Sequence, residues 1–108
     1  MALDLVDACV YGHVDVVQLL LDRGVDVDGW DDHGASPLFA ACDHDQVRAA
    51  TLLLDRGANV NGVDSEGWTP LQIACQNGRL ASATLCLDRG ADVHRALPGG
   101  ETLHREPV

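Results

Sequence analysis

The chain has 108 residues, 46% of them apolar, and sets 17 acidic side chains against 7 basic ones, all Arg, for a formal charge of −10. That length suits one domain, and that apolar content suffices for a core. With a pI near 4.5, the balance argues against nucleic acid, whose phosphates call for basic patches, and against anionic membrane surfaces.

No apolar run approaches the ~20 residues that span a bilayer. Asp4 and Asp7 stand where a secretory signal would carry basic residues. The cysteines Cys9, Cys42, Cys75 and Cys86 form no C-x-x-C pair. Their spacing weakens the case for a zinc or redox site and fits a thiol-reducing, intracellular setting, cytoplasmic or nuclear.

A 33-residue period organises the chain. Written in register without gaps, residues 1–33, 34–66 and 67–99 share nine identical columns. Five are Leu5/Leu38/Leu71, Ala8/Ala41/Ala74, Cys9/Cys42/Cys75, Leu19/Leu52/Leu85 and Leu21/Leu54/Leu87. Four more are Asp22/Asp55/Asp88, Arg23/Arg56/Arg89, Gly24/Gly57/Gly90 and Val27/Val60/Val93. Such a period means stacked supersecondary units, each too small to bury its own apolar face.

The first unit opens with Met1-Ala2-Leu3-Asp4 close to its helix and reads as an N-terminal cap. In the second, Ser36 precedes Pro37, a hydroxyl N-cap followed by a proline at the first helical turn. The short helix after it carries Leu38, Ala41 and Cys42 on one face at i, i+3, i+4 spacing. A second helix around 47–56 is expected to bury Val47, Ala50, Leu54 and the neighbouring leucines, with Arg56 in its last turn and Gly57 as a left-handed cap. Residues 58–68, rich in Gly, Asn, Asp and Ser, predict a turn-rich finger. The third unit repeats the plan from Thr69-Pro70. Residues 100–108 read as the truncated start of a further unit or a tail, which leaves the end of the third unit uncapped.

The pattern resembles the ankyrin repeat over residues 1–99. The T-P-L-H-x-A signature appears as Thr69-Pro70-Leu71-Gln72-Ile73-Ala74 and, more loosely, as Ser36-Pro37-Leu38-Phe39-Ala40-Ala41. A second hallmark, L-L-L-x-x-G-A-x-V-N, is Leu52-Leu53-Leu54-Asp55-Arg56-Gly57-Ala58-Asn59-Val60-Asn61. The resemblance implies an all-α fold: an ankyrin-repeat α-solenoid of helix-turn-helix units with turn-rich fingers. It implies a non-catalytic protein–protein interaction module that takes a protein segment on its concave finger and helix face, with no cofactor. The second reading is an architectural or assembly segment of a larger ankyrin protein.

Carried onto this chain, the family's exposed binding positions fall on Trp30, Asp32, His33, Ala35, Asp43 and His44 around the second unit. They continue on Val63, Ser65, Glu66, Trp68, Gln76 and Asn77, and the capping unit adds Val10 and Tyr11. Three of the four aromatic residues lie in this set, and exposed tryptophans are typical interface anchors. The alternative is that each tryptophan packs flat on its neighbouring finger. Trp30 and Trp68 also occupy places resembling cage tryptophans of ankyrin domains that read methyl-lysine. Asp31, Asp32 and Glu66 lie nearby in sequence, but Ala35 leaves one wall of such a cage missing. The resemblance further implies a hydroxylation site at Asn61, with Leu53 eight residues before it; the plainer role is a turn residue bonding its own backbone. Phe39 and Gln72 replace the signature His that in the family links one finger to the next; Gln72 can partly substitute as a donor and Phe39 cannot. About three units without a C-terminal cap predict a marginally stable array.

Charge is graded along the chain. Residues 1–33 net −7, residues 34–66 net −3 and residues 67–99 net +1. The gradient suits a basic segment of another protein as partner, the alternative being that solvated acids keep a repeat protein soluble. The uncapped end reads either as that of a fragment or as a face covered by a partner, by another copy in self-association, or by nothing. Cys42-Asp43-His44-Asp45 imitates a catalytic or metal cluster, but the register makes Cys42 a member of a buried column. Successive units lie roughly 10 Å apart, too far for disulfides within that column. Asp45 replaces Gly12 and Gly78 at a turn. No enzyme and no metal site is read.

Overall fold

The computed structural model describes residues 4–94. Among them are six helices and no strand: α1 Leu5–Tyr11, α2 Val14–Asp22, α3 Pro37–Asp43, α4 Val47–Asp55, α5 Pro70–Gln76 and α6 Leu80–Asp88. Each unit contributes one short and one longer helix, and corresponding helices stack, α1 on α3 on α5 and α2 on α4 on α6. Residues 1–3 and the expected tail, 100–108, lie outside the described residues.

The helix starts follow from local chemistry. Ser36 and Thr69 are extended, and their hydroxyls accept from the Phe39 and Gln72 N–H groups at 3.1 Å. Pro37 and Pro70 occupy the first turn, where no backbone donor is lost. Asp4 does the same work for α1, accepting from the Asp7 N–H at 2.8 Å. Gln72 completes a capping box, its Oε1 accepting from the Thr69 N–H at 2.9 Å. Gln72 is fully buried, so the family's histidine position here serves a helix start.

Between the helices of each unit the chain turns through a left-handed residue: Gly12 at φ 71°, Asp45 at φ 56° and Gly78 at φ 70°. Asp45 bears this strain while its Oδ1 accepts from Ser82 Oγ at 2.7 Å in the third unit.

One apolar cluster runs through all three units. Its fully buried members include Leu5, Ala8, Cys9, Val17, Leu38, Ala41, Cys42, Ala50, Leu53, Leu71, Ala74 and Cys86. The short helices bury the expected Leu/Ala/Cys faces. In α4, however, Leu53 is the fully buried leucine, with Ala49 and Ala50, whereas Val47 and Leu54 are half-buried. Arg56 also departs from expectation. The helix ends at Asp55, and Arg56 at its C-cap sends a guanidinium nitrogen to Asp22 in the unit before, at 2.6 Å. Arg89 repeats the link to Asp55 at 2.9 Å.

Candidate protein-binding surface

Both fingers are closed by the same local device. Asp31 Oδ1 accepts from the His33 and Ala35 N–H groups, each at 2.9 Å, while the Asp31 N–H donates to the Ala35 carbonyl. One period later Asp64 Oδ1 accepts from the Glu66 and Trp68 N–H groups at 3.0 and 2.8 Å, and the Asp64 N–H donates to the Trp68 carbonyl. An aspartate that closes its own turn fixes the tip before any partner arrives. Asp31 therefore spends one carboxylate oxygen on its own finger. Asp32 and Glu66 are the exposed acids at the tips.

The two fingers are joined to each other. The Ser65 N–H donates to the Gly34 carbonyl at 3.1 Å, and Ser65 Oγ reaches the His33 carbonyl at 3.4 Å. Gly34 has φ 78°, and a Cβ placed on it would stand 2.5 Å from the Ser65 Cβ, so glycine is required twice over. Lower on the fingers Asp28 Oδ1 accepts from the Asn59 N–H at 3.0 Å, and Asn61 Oδ1 from the Asp92 N–H at 2.9 Å. Asn61 is thus half-buried and bridges to the third unit, a role that a turn bond within its own finger does not describe.

The residues singled out in the sequence separate into three groups. Exposed at tips or helix ends are Tyr11, Trp30, Asp32, His33, His44, Ser65, Glu66, Gln76 and Asn77. Half-buried are Val10, Ala35, Asp43, Val63 and Trp68. Asp43 and Asn77 are engaged with each other, the Asn77 amide donating to the Asp43 carboxylate, and Arg79 Nε donates to the Asp43 carbonyl at 3.2 Å. The tryptophans are not an equivalent pair: Trp30 is 56% exposed, whereas Trp68 is half-buried. The one close ring pair among the described residues is Tyr11 with His13, 6.1 Å between centroids.

Trp30 also lines a cleft of about 170 Å³ with Asp4, Leu5, Val6, Val25 and Asp26. Sequence reasoning did not reach this cleft. Its signal is that Val25 is exposed while its register mates Ala58 and Ala91 are half-buried.

Cys9 and Cys42 are core residues as the register predicts, whereas Cys75, the third member of the column, is exposed. Cys42 Sγ lies 3.6 Å from Cys86 Sγ, a residue of the Leu20/Leu53 column in α6. The hydrogen bond to Cys86, and then burial, drives the Cys42 thiol far up from its ordinary value; the same bond favours the Cys86 thiolate. Burial, with Asp4 adding to it, pushes Cys9 up to about 12. Thiols held protonated are poor nucleophiles and poor metal ligands. Among the described residues no three His, Cys, Asp or Glu side chains converge as a metal site would need, and His44 Nε2 stands 3.8 Å from Asp43 Oδ2.

Stacked helix pairs joined by turn-rich fingers define an α-solenoid repeat protein. The pattern of ankyrin repeats, in three copies, matches residues 5–96, and the chain belongs to the ankyrin repeat family. Ankyrin repeats are in general protein–protein interaction modules and non-catalytic. No curated protein matches the chain. No helix among the described residues is long and apolar enough to cross a membrane.

Proposed function

We propose that this array binds a basic segment of another protein across its two joined fingertips and the ends of its first helices. The observation that carries the reading is the pair of locked tips. Asx closures at Asp31 and Asp64 and the Gly34–Ser65 link hold Asp32, His33, Ser65 and Glu66 outward on a fixed backbone. A pre-formed tip loses little freedom on binding, so side-chain contacts there convert efficiently into affinity. Trp30 adds exposed aromatic area beside acids, an arrangement suited to Arg or Lys. The charge of −7 on the first unit supplies steering for such a partner.

The test is selection of a random peptide library on the dilute, immobilised chain. Recovered peptides rich in Arg and Lys, bound at least tenfold more weakly by Trp30→Ser and by Asp32→Ala/Glu66→Ala with unchanged melting, bear the reading out. Peptides of no basic character, or binding indifferent to both variants, overturn it.

A further inference from the structure

We infer that the chain associates head to tail with copies of itself, the outer face of the third unit seating on the outer face of the first unit of another copy. This goes beyond the fingertip reading and does not rest on it. The two end faces are the two halves of a junction that the chain already builds twice internally, and burial along the repeat columns shows this directly.

On the third unit, residues are uncovered whose mates are covered. Cys9 and Cys42 are fully buried but Cys75 is exposed; Val17 and Ala50 are fully buried but Ala83 only partly. Leu21 and Leu54 are half-buried, whereas Leu87 is 46% exposed; Val14 and Val47 are half-buried, whereas Leu80 is 79% exposed. A cleft of about 350 Å³ opens there, lined by Ala74, Cys75, Gly78, Arg79, Leu80 and Ala83.

The first unit shows the opposite gradient in different columns. Ala49 and Ser82 are buried but Val16 is not; Leu53 and Cys86 are buried but Leu20 is half-exposed. Leu52 and Leu85 are half-buried, whereas Leu19 is 51% exposed. The cleft beside Trp30 fits the same account. One period later its place is taken by the preceding finger, whose Asp28 bonds the Asn59 N–H.

Charge says what covers these faces. The internal ladder pairs Asp22 with Arg56 and Asp55 with Arg89. Its two unused members are Asp88, at the end of α6, and Arg23, after α2; among the described residues neither makes an ion pair. A second copy in register sets its Arg23 on Asp88. It likewise sets His13 toward the Gln76 carbonyl, as Gln46 bonds the Val10 carbonyl and Arg79 that of Asp43. The first unit nets −7, while over the described residues of the third unit Arg79 and Arg89 balance Asp88 and Asp92, so the acidic face meets no like-charged one although the whole chain is acidic. Because the two faces differ, the contact is heterologous and does not close on itself as a twofold dimer does.

The experiment is molar mass by sedimentation and light scattering on the full chain, from micromolar to millimolar concentration. Mass is expected to climb past the dimer. Leu80→Glu and Leu19→Glu each block one face at an exposed position, and circular dichroism melts confirm their folding. Each is expected to be monomeric alone, and an equimolar mixture is expected to give a one-to-one dimer that grows no further. Arg23→Asp should weaken association roughly two- to fivefold, the range of one exposed ion pair, and Asp88→Arg in the same chain should restore it. A wild-type chain that stays monomeric overturns the inference, as does a Leu19→Glu chain that still dimerises, which marks a tail-to-tail contact. A mixture that stays monomeric, or a charge reversal that is not restored, overturns the register.

Discussion

The junction between the first two units and the junction between the last two are built on one plan with different materials. At the first, α4 offers Ala49 and Leu53, both fully buried. At the second, the same columns of α6 hold Ser82 and Cys86, also fully buried but polar or small. Ser82 bonds Asp45, Cys86 meets Cys42, and Arg79 and Asn77 both reach Asp43. Both junctions are cross-linked, the first by Gln46 to the Val10 carbonyl and by Arg56 to Asp22. What differs is the buried pair, apolar at the first and a hydroxyl and a thiol with directed partners at the second. Apolar packing tolerates imperfect geometry, whereas buried polar contacts stabilise only while every partner stays in place. The third unit is therefore the one expected to open first when conditions worsen.

Leu53→Ala strikes the apolar junction and carries the largest expected effect, a loss of about 2–5 kcal/mol in urea unfolding. Ser82→Ala at the other junction should cost about 1 kcal/mol. Equal losses would erase the distinction between the junctions. Gly34→Ala comes next. It forces a side chain into the left-handed region and against Ser65, for about 1–3 kcal/mol, and should speed hydrogen exchange at Ser65 before the helices.

The first unit's share of the pH dependence is read through Cys9, beside that of Cys42, whose thiol is also driven up. Cys9 keeps its proton to about pH 12, while its ordinary value is 9.0. The unfolded chain therefore releases that proton first as pH rises. Stability contributed by this thiol is intact below pH 9 and falls above it, by at most about 1.4 kcal/mol per pH unit. Cys9→Ala should flatten that part of the curve. In native protein Cys75, the exposed thiol, should be the first to react with a thiol reagent.

Smaller effects separate the helix starts. Thr69→Ala should cost about 1 kcal/mol and Ser36→Ala less, because Gln72 closes a reciprocal box on Thr69 that Phe39 cannot form on Ser36. Gln72→Phe should bring the two caps level. Smallest of all, Arg56→Ala and Arg89→Ala should each cost under about 1 kcal/mol and lose that effect in salt, since both pairs are exposed.

The period and its nine columns determined the helix pairs, the caps at Ser36 and Thr69, the left-handed Gly57 and the place of the fingers. Those features rest on interactions within a few residues, and the residue types needed for them stand in the chain. The resemblance to the family, carried over position by position, marked Asp32, His33, Ser65 and Glu66, and all four are exposed. Only the tertiary structure decided which leucine of Leu52-Leu53-Leu54 is innermost, because that depends on the roll of α4 against both neighbours. It alone joined Cys42 to Cys86 across two columns, sent Arg56 to Asp22, and set Trp30 outside while folding Trp68 partly in. It alone gave Gln72 a capping role and Asn61 a bridge to the third unit. Each of these contacts crosses a junction or depends on the packing around one helix. A repeat written in register shows what its units share, and it leaves open how each unit meets the next.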